Sequence, residues 1–125
     1  MKALLKVLLI TIVFVSCSED DELKETCVTN NPMEELVWLK QLKSAFEQST
    51  SANIVEIYEY RYKQQRVFYI NDCVGCADGL TKVYSCTGNV MCEFGGIAGL
   101  NTCPDFTNEA TDKKLLWTNN VSIAN

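Results

Sequence analysis

Histidine is absent from this 125-residue chain. That gap removes Ser-His-Asp and Cys-His nucleophilic catalysis, imidazole acid–base chemistry and most catalytic zinc sites. Arginine occurs only at Arg61 and Arg66, and the lysines stand singly except for Lys113-Lys114. Clustered phosphate contacts are therefore lacking, and a net charge of −5 disfavours nucleic acid further. Long hydrophobic runs are also missing. The apolar stretch from Leu4 to Val15 is about a dozen residues, short of the roughly 20 that span a bilayer as a helix. No internal repeat or low-complexity tract is present.

What the chain does have begins at its N-terminus. Lys2 and Lys6, the apolar run and Phe14-Val15-Ser16-Cys17 read as an export signal cut before a cysteine. The junction looks like the lipobox of bacterial lipoproteins, although Phe14 stands where leucine is usual. On this reading residues 1–16 are a cleaved signal peptide and Cys17 is the lipidated (palmitate-bearing) first residue. Ser18-Glu19-Asp20-Asp21-Glu22 opens an acidic, solvated tether over residues 17–30. The string resembles the surface-export tether of Bacteroidota lipoproteins. The expected location is the outer membrane, lipid-anchored and facing the cell surface, with the periplasmic side as the alternative.

Cysteine is abundant, with seven in all. Beyond Cys17, the set Cys27, Cys73, Cys76, Cys86, Cys92 and Cys103 is even in number, in an exported domain too small for a large core, which is the setting for disulfide staples. Three bridges are expected, with 15 connectivities open. Cys73-Val74-Gly75-Cys76 has the spacing of a thiol redox centre, but no long helix is expected to follow it. Bridges from Cys73 and Cys76 to other cysteines are the expectation, with a redox centre as the alternative. A four-cysteine zinc site from Cys73, Cys76, Cys86 and Cys92 has only one usable knuckle. Asn71, Asp72 and Asp78 lack the alternating pattern of a calcium loop. No cofactor or metal is expected.

Asn31-Pro32-Met33-Glu34 announces a helix running to about Gln48, with Leu36, Trp38, Leu39, Leu42, Ala45 and Phe46 on one half of its wheel. Asn53–Tyr62 and Gln65–Asn71 form an aromatic hairpin across Lys63-Gln64. Tyr58, Tyr60 and Tyr62 share one face, expected to pack beneath the Trp38-Leu42-Phe46 helix with their hydroxyls finding water. Val55 and Ile57 point the other way, so a bulge or a strand covered on both sides is expected. Thr81–Cys86 and Val90–Phe94 form a second hairpin across Thr87-Gly88-Asn89. A glycine-rich loop from Gly95 to Thr102 leads to Cys103, a short helix is expected within 104–114, and Leu115-Leu116-Trp117 is a last apolar anchor. The predicted fold is α+β: one N-terminal amphipathic helix on a small antiparallel sheet of about four strands, disulfide-stapled. The domain covers 31–118 and a polar tail 119–125.

Trp38-Leu39, Tyr58-Glu59-Tyr60 with Val67-Phe68-Tyr69, Glu93-Phe94-Gly95-Gly96-Ile97 and Cys103-Pro104-Asp105-Phe106 together resemble a family of small Bacteroidota lipoproteins of unknown function, over roughly residues 33–117. Gln64 departs from the glycine often found in the hairpin turn. The resemblance implies no activity. Glu56, Glu59, Asp72, Asp78, Glu93 and Asp105 single out no catalytic carboxylate pair. The expected role is a non-enzymatic binding or structural module, held to the membrane by its lipid, with an envelope protein or glycan as partner. Tyr58, Tyr60 and Tyr62 on an aromatic platform, and Ile97 and Leu100 on the glycine loop, are the candidate contacts. The alternatives are a redox protein using Cys73 and Cys76, and a small inhibitor presenting the 95–102 loop. Exposure of Ile97 or Leu100 would favour a partner, and a buried loop would count against inhibition.

Overall fold

A computed structural model describes residues 27–122. The expected signal peptide, Cys17 and most of the acidic tether lie outside the described residues. In chain order the elements are α1 (Pro32–Glu35), α2 (Val37–Gln48), β1 (Glu56–Tyr62), β2 (Gln65–Asn71), β3 (Leu80–Tyr84), β4 (Val90–Gly95), β5 (Leu100–Asn101), α3 (Phe106–Glu109) and β6 (Thr111–Thr118). The fold is α+β, as expected, but its antiparallel sheet has six strands in the order β5-β4-β3-β2-β1-β6. The two additional strands are β5, two residues long, and β6, which returns to pair with the free side of β1. The helix expected within 104–114 shrinks to one turn because Thr111 onward joins the sheet. No helix among the described residues is long and apolar enough to cross a membrane.

The expected single helix is broken. Leu36 adopts an extended ψ of 105°, separating α1 from α2. On an unbroken helix Met33 and Leu39 would point about 120° apart. The break lets both bury in one cluster with Ile57, Phe68 and Ile70. Trp38, Leu42 and Phe46 recur on one side of α2 and pack against the same cluster, joined by Leu116 and Trp117 of β6. Ala45, expected on the packed half, is exposed. The Trp38 indole N–H donates to the Cys86 carbonyl at 2.7 Å. Its ring also fills the space where Gly88 would carry a side chain: a Cβ there would lie 2.9 Å from the indole, at a φ of +84°. The β3–β4 turn therefore requires glycine at that point.

The helix covers the Ile57 side of the sheet, so the expectation that it packs over the tyrosines is corrected. Alternation along β1 sends Tyr58, Tyr60 and Tyr62 to the opposite face. Val67, Val83, Cys92 and Phe106 complete a second core there with Tyr62. The sheet is thus covered on both sides, and β6 pairs with β1 through bulges between Ile57 and Tyr58 and between Glu59 and Arg61. Both features expected from the mixed pattern of β1 are present. Its ladder starts only at Glu56, because the Val55 N–H donates to the Asn119 side chain at 2.8 Å.

Three cysteine pairs stand at disulfide distance: Cys27–Cys86, Cys73–Cys76 and Cys92–Cys103, with Cα separations of 5.7, 5.4 and 5.5 Å. The expectation that Cys73 and Cys76 bridge to other cysteines is therefore corrected. The first pair pins the start of the described chain, helped by Arg66, whose guanidinium donates to the Cys27 and Thr29 carbonyls at 3.2 and 2.6 Å and to Glu59 at 2.7 Å.

Candidate functional site

The β4–β5 hairpin forms one edge of the sheet. At its base Cys92 pairs with Cys103, the Glu93 N–H donates to the Thr102 hydroxyl at 2.8 Å, and the Thr102 N–H donates to the Glu93 carbonyl at 3.1 Å. Phe94 and Gly95 pair with Asn101 and Leu100 above that clamp. At the tip Ile97 is 90% exposed, and Leu100 behind it is 40% exposed. The sequence placed both among the candidate contacts. It did not reveal the clamp, because Thr102 and Glu93 are ordinary residues until the hairpin register sets them opposite each other.

A second contact holds the hairpin from the side. The Gly96 N–H donates to the Gly79 carbonyl at 3.0 Å. Gly95 has a φ of +89°, and a Cβ on it would run into that same carbonyl. Two backbones touch here with no side chain between them, so glycine at 95 is obligatory. Gly79 in turn closes the Cys73–Cys76 loop: its N–H donates to the Cys76 carbonyl at 3.3 Å, and the Cys76 N–H donates to the Cys73 carbonyl at 3.1 Å. Cys76 is exposed and Cys73 half-buried. No helix follows the pair; the chain passes through turns straight into β3.

The three candidate tyrosines are not equivalent. Tyr62 is buried, and its hydroxyl donates to Asp105 at 2.7 Å. Tyr58 and Tyr60 are half-buried beside Tyr69, with ring centroids 5.7–6.4 Å apart. The Tyr58 hydroxyl donates to Glu56 at 3.0 Å, and the Lys113 ammonium sits 4.4 Å from its ring centre. The hydroxyls of Tyr58 and Tyr62 thus find carboxylates rather than water. Phe106 packs edge-on to Tyr60 at 5.3 Å and stacks on Tyr69 at 6.0 Å, roofing half of the expected platform.

These contacts set the electrostatics. Burial, then the Glu56 hydrogen bond, pushes the Tyr58 phenol above its ordinary value of 10.0. Tyr60 is raised by burial and by Tyr69, and Tyr62 by burial and by Asp105. All three stay protonated near neutral pH, which suits hydrogen-bond donation and not base or nucleophile chemistry. Asp105 is held below 3.8, first by the Tyr62 hydroxyl, then by a backbone hydrogen bond and by Lys63.

Among the described residues no group of three or more Cys, Asp or Glu side chains is arranged to hold a metal ion. The cysteines weighed for zinc are divided among the three pairs. One open hollow of about 470 Å³ lies along Val37, Gln41, Ser44 and Gln48 on the outer side of α2, and a smaller one of about 170 Å³ is lined by Phe46, Asn53, Asp72 and Asn119. Neither contains a tyrosine, cysteine or hairpin residue singled out from the sequence.

No curated protein and no solved structure matches the chain. Residues 41–119 match a domain of unknown function, DUF6970. The span starts within α2 and ends at Asn119, whose side-chain N–H donates to the Asn53 carbonyl at 2.9 Å. It takes in the whole sheet, the Cys73–Cys76 loop and the clamped hairpin. The match covers more than half of the chain, which therefore belongs to the DUF6970 family.

Proposed function

We propose that the protein is a non-enzymatic, lipid-anchored recognition module of the bacterial cell surface, held at Cys17 and engaging a protein partner with the tip of the β4–β5 hairpin. The observation that carries this reading is Ile97, 90% exposed on a tip whose base is clamped by Cys92–Cys103 and by two hydrogen bonds. The free fold gains nothing from a large apolar side chain in water. Transfer into a partner's pocket would stabilise a complex by about 1.5–3 kcal/mol. The clamp lowers the ordering cost of binding, because the loop is already held in one shape. Insertion into the cleft of a target enzyme, as a small inhibitor does, is the narrower form of this reading, and the exposure of Ile97 at the tip favours it.

The test is a photo-crosslinking amino acid placed at position 97, with Lys40 on the outer face of α2 as the control position, in intact envelopes. A discrete adduct from position 97 that is missing from position 40, and that disappears when Cys17→Ser releases the chain from the membrane fraction, is the expected result. Equal labelling from both positions would sink the reading.

A further inference from the structure

The role proposed for the hairpin leaves the Cys73–Cys76 pair unused, and that pair differs from the other two in reach and access. It closes a separation of three residues, whereas Cys27–Cys86 and Cys92–Cys103 close 59 and 11. Short loops lose little chain entropy on closure, so this bridge constrains the unfolded chain least. Each of the other pairs has a buried member, Cys86 at 8% and Cys92 at 1% exposure, while Cys76 is open to solvent. A thiolate can therefore reach Cys76 without the core opening.

The same loop is joined to the hairpin through backbone alone. A Cβ on Gly79 would lie 3.1 Å from the Cys73 carbonyl and 3.5 Å from the Cys76 Cβ. On its other side Gly79 receives the Gly96 N–H and sits against the α-carbon of Gly95. The stack runs from the cysteines through Gly79 to the residue preceding Ile97.

We propose that Cys73–Cys76 is a thiol–disulfide exchange site for an external dithiol, and that opening it releases the Ile97 hairpin from its lateral hold. One thiolate of the dithiol attacks the Cys76 sulfur, forming a mixed disulfide while Cys73 leaves as a thiolate. The second thiol of the donor then attacks its own sulfur in that mixed disulfide and frees Cys76. The donor ends as a disulfide, and its two electrons and two protons reside on Cys73 and Cys76. No low-pKa activation by a helix is required, because the attacking thiolate belongs to the donor. The site stands whether or not the hairpin has a partner.

Dithiothreitol titration of the full-length chain, with alkylation and mass spectrometry to locate free thiols and amide exchange read by NMR, tests both halves. Cys73 and Cys76 are expected to be alkylated at roughly tenfold less reductant than Cys27, Cys86, Cys92 or Cys103. At that point the Gly96 amide should exchange roughly tenfold faster while the Thr102 amide, inside the clamp, holds its rate. Release of either other pair first would overturn the exchange site, and an unchanged Gly96 amide after the bridge opens would overturn the coupling. The C73S/C76S double variant should show the fast Gly96 amide without reductant. Should it fail to fold, the titration of the native chain decides alone.

Discussion

The two faces of the sheet are closed in different ways. One is covered by the twelve residues of α2, with Trp38 edge-on to Phe68 at 5.7 Å, Phe46 stacked on Trp117 at 6.4 Å, and Leu39 wholly buried between them. The other is covered by the single turn α3, which delivers one side chain. Phe106 alone meets Tyr60, Tyr62, Tyr69 and Phe94, at centroid distances of 5.3, 4.9, 6.0 and 5.4 Å. Burial on the helix side is spread over many residues, so one loss can be absorbed by its neighbours. On the tyrosine side it converges on one ring, tied down by Cys103 and by the Tyr62–Asp105 contact on either side. A short cover of this kind leaves Tyr58 and Tyr60 partly open.

Replacement of that ring breaks the contrast most directly. Phe106→Ala is expected to cost about 4 kcal/mol, whereas Leu42→Ala, on the redundant helix side, should cost about 2 kcal/mol. Urea unfolding followed by tryptophan fluorescence measures both. Equal losses would mean that the tyrosine face has support other than Phe106.

The redundant side was the more legible one in the sequence. Leu39, Leu42 and Phe46 recur at helical spacing, so the packed half of α2 could be read directly, and alternation along β1 separated the tyrosines from Ile57. Which of those two faces the helix covers could not be read. Both are apolar enough to be buried, and the rival cover, Phe106, sits in a segment with no period of its own. β6 was missed because its first half, Thr111-Asp112-Lys113-Lys114, is the polar run of an exposed edge strand. Leu115, Leu116 and Trp117 were correctly seen as apolar but not as the end of a strand. The break at Leu36 has no proline or glycine to mark it. For the candidate site, Ile97 and Leu100 were visible as apolar residues in a glycine loop, but the Gly79 contact joins residues distant in sequence and exists only once β3 and β4 pair. The pairing of Cys73 with Cys76 was one of many possibilities allowed by six cysteines.

The polar edge of the tyrosine face gives a smaller effect with a pH signature. Asp105 is held below 3.8 in the fold, so its contribution is present above that value and is lost as pH falls through the lowered folded pKa. Tyr62 is raised above 10.0, so its contribution is present below pH 10 and is lost as pH rises through the raised folded pKa. Tyr62→Phe removes the largest cause of the first shift and the titrating group of the second. It should cost about 1 kcal/mol at neutral pH for the lost hydrogen bond. It should also flatten both the acid and the alkaline arms of the stability curve. An Asp105 carboxyl titration by NMR that stays depressed in this variant would reassign the shift to the backbone hydrogen bond at Asp105 and to Lys63.

A change of similar size but opposite sign is expected at the turn that leads into this face. Lys63 and Gln64 both lie in the left-handed region, at φ of 49° and 62°, with no glycine or asparagine to accommodate it. Two-residue hairpin loops with positive φ at both positions favour Asn-Gly, because a Cβ crowds the following carbonyl oxygen there, a clash that glycine lacks and asparagine offsets by local hydrogen bonding. Part of the strain is offset locally: the Lys63 ammonium lies 5.0 Å from the Tyr62 ring centre and 3.5 Å from Asp105. Gln64 makes no such contact in the described structure, so the two positions should respond differently. Gln64→Gly is expected to stabilise the domain by about 1 kcal/mol. Lys63→Asn should be close to neutral, since relief of backbone strain is set against loss of the contacts to Tyr62 and Asp105. Thermal unfolding of the two single variants separates these terms. A gain at 63 as large as that at 64 would show that the lysine contributes nothing to the hold on the tyrosine face, leaving Phe106 and the Cys92–Cys103 pair to carry that side.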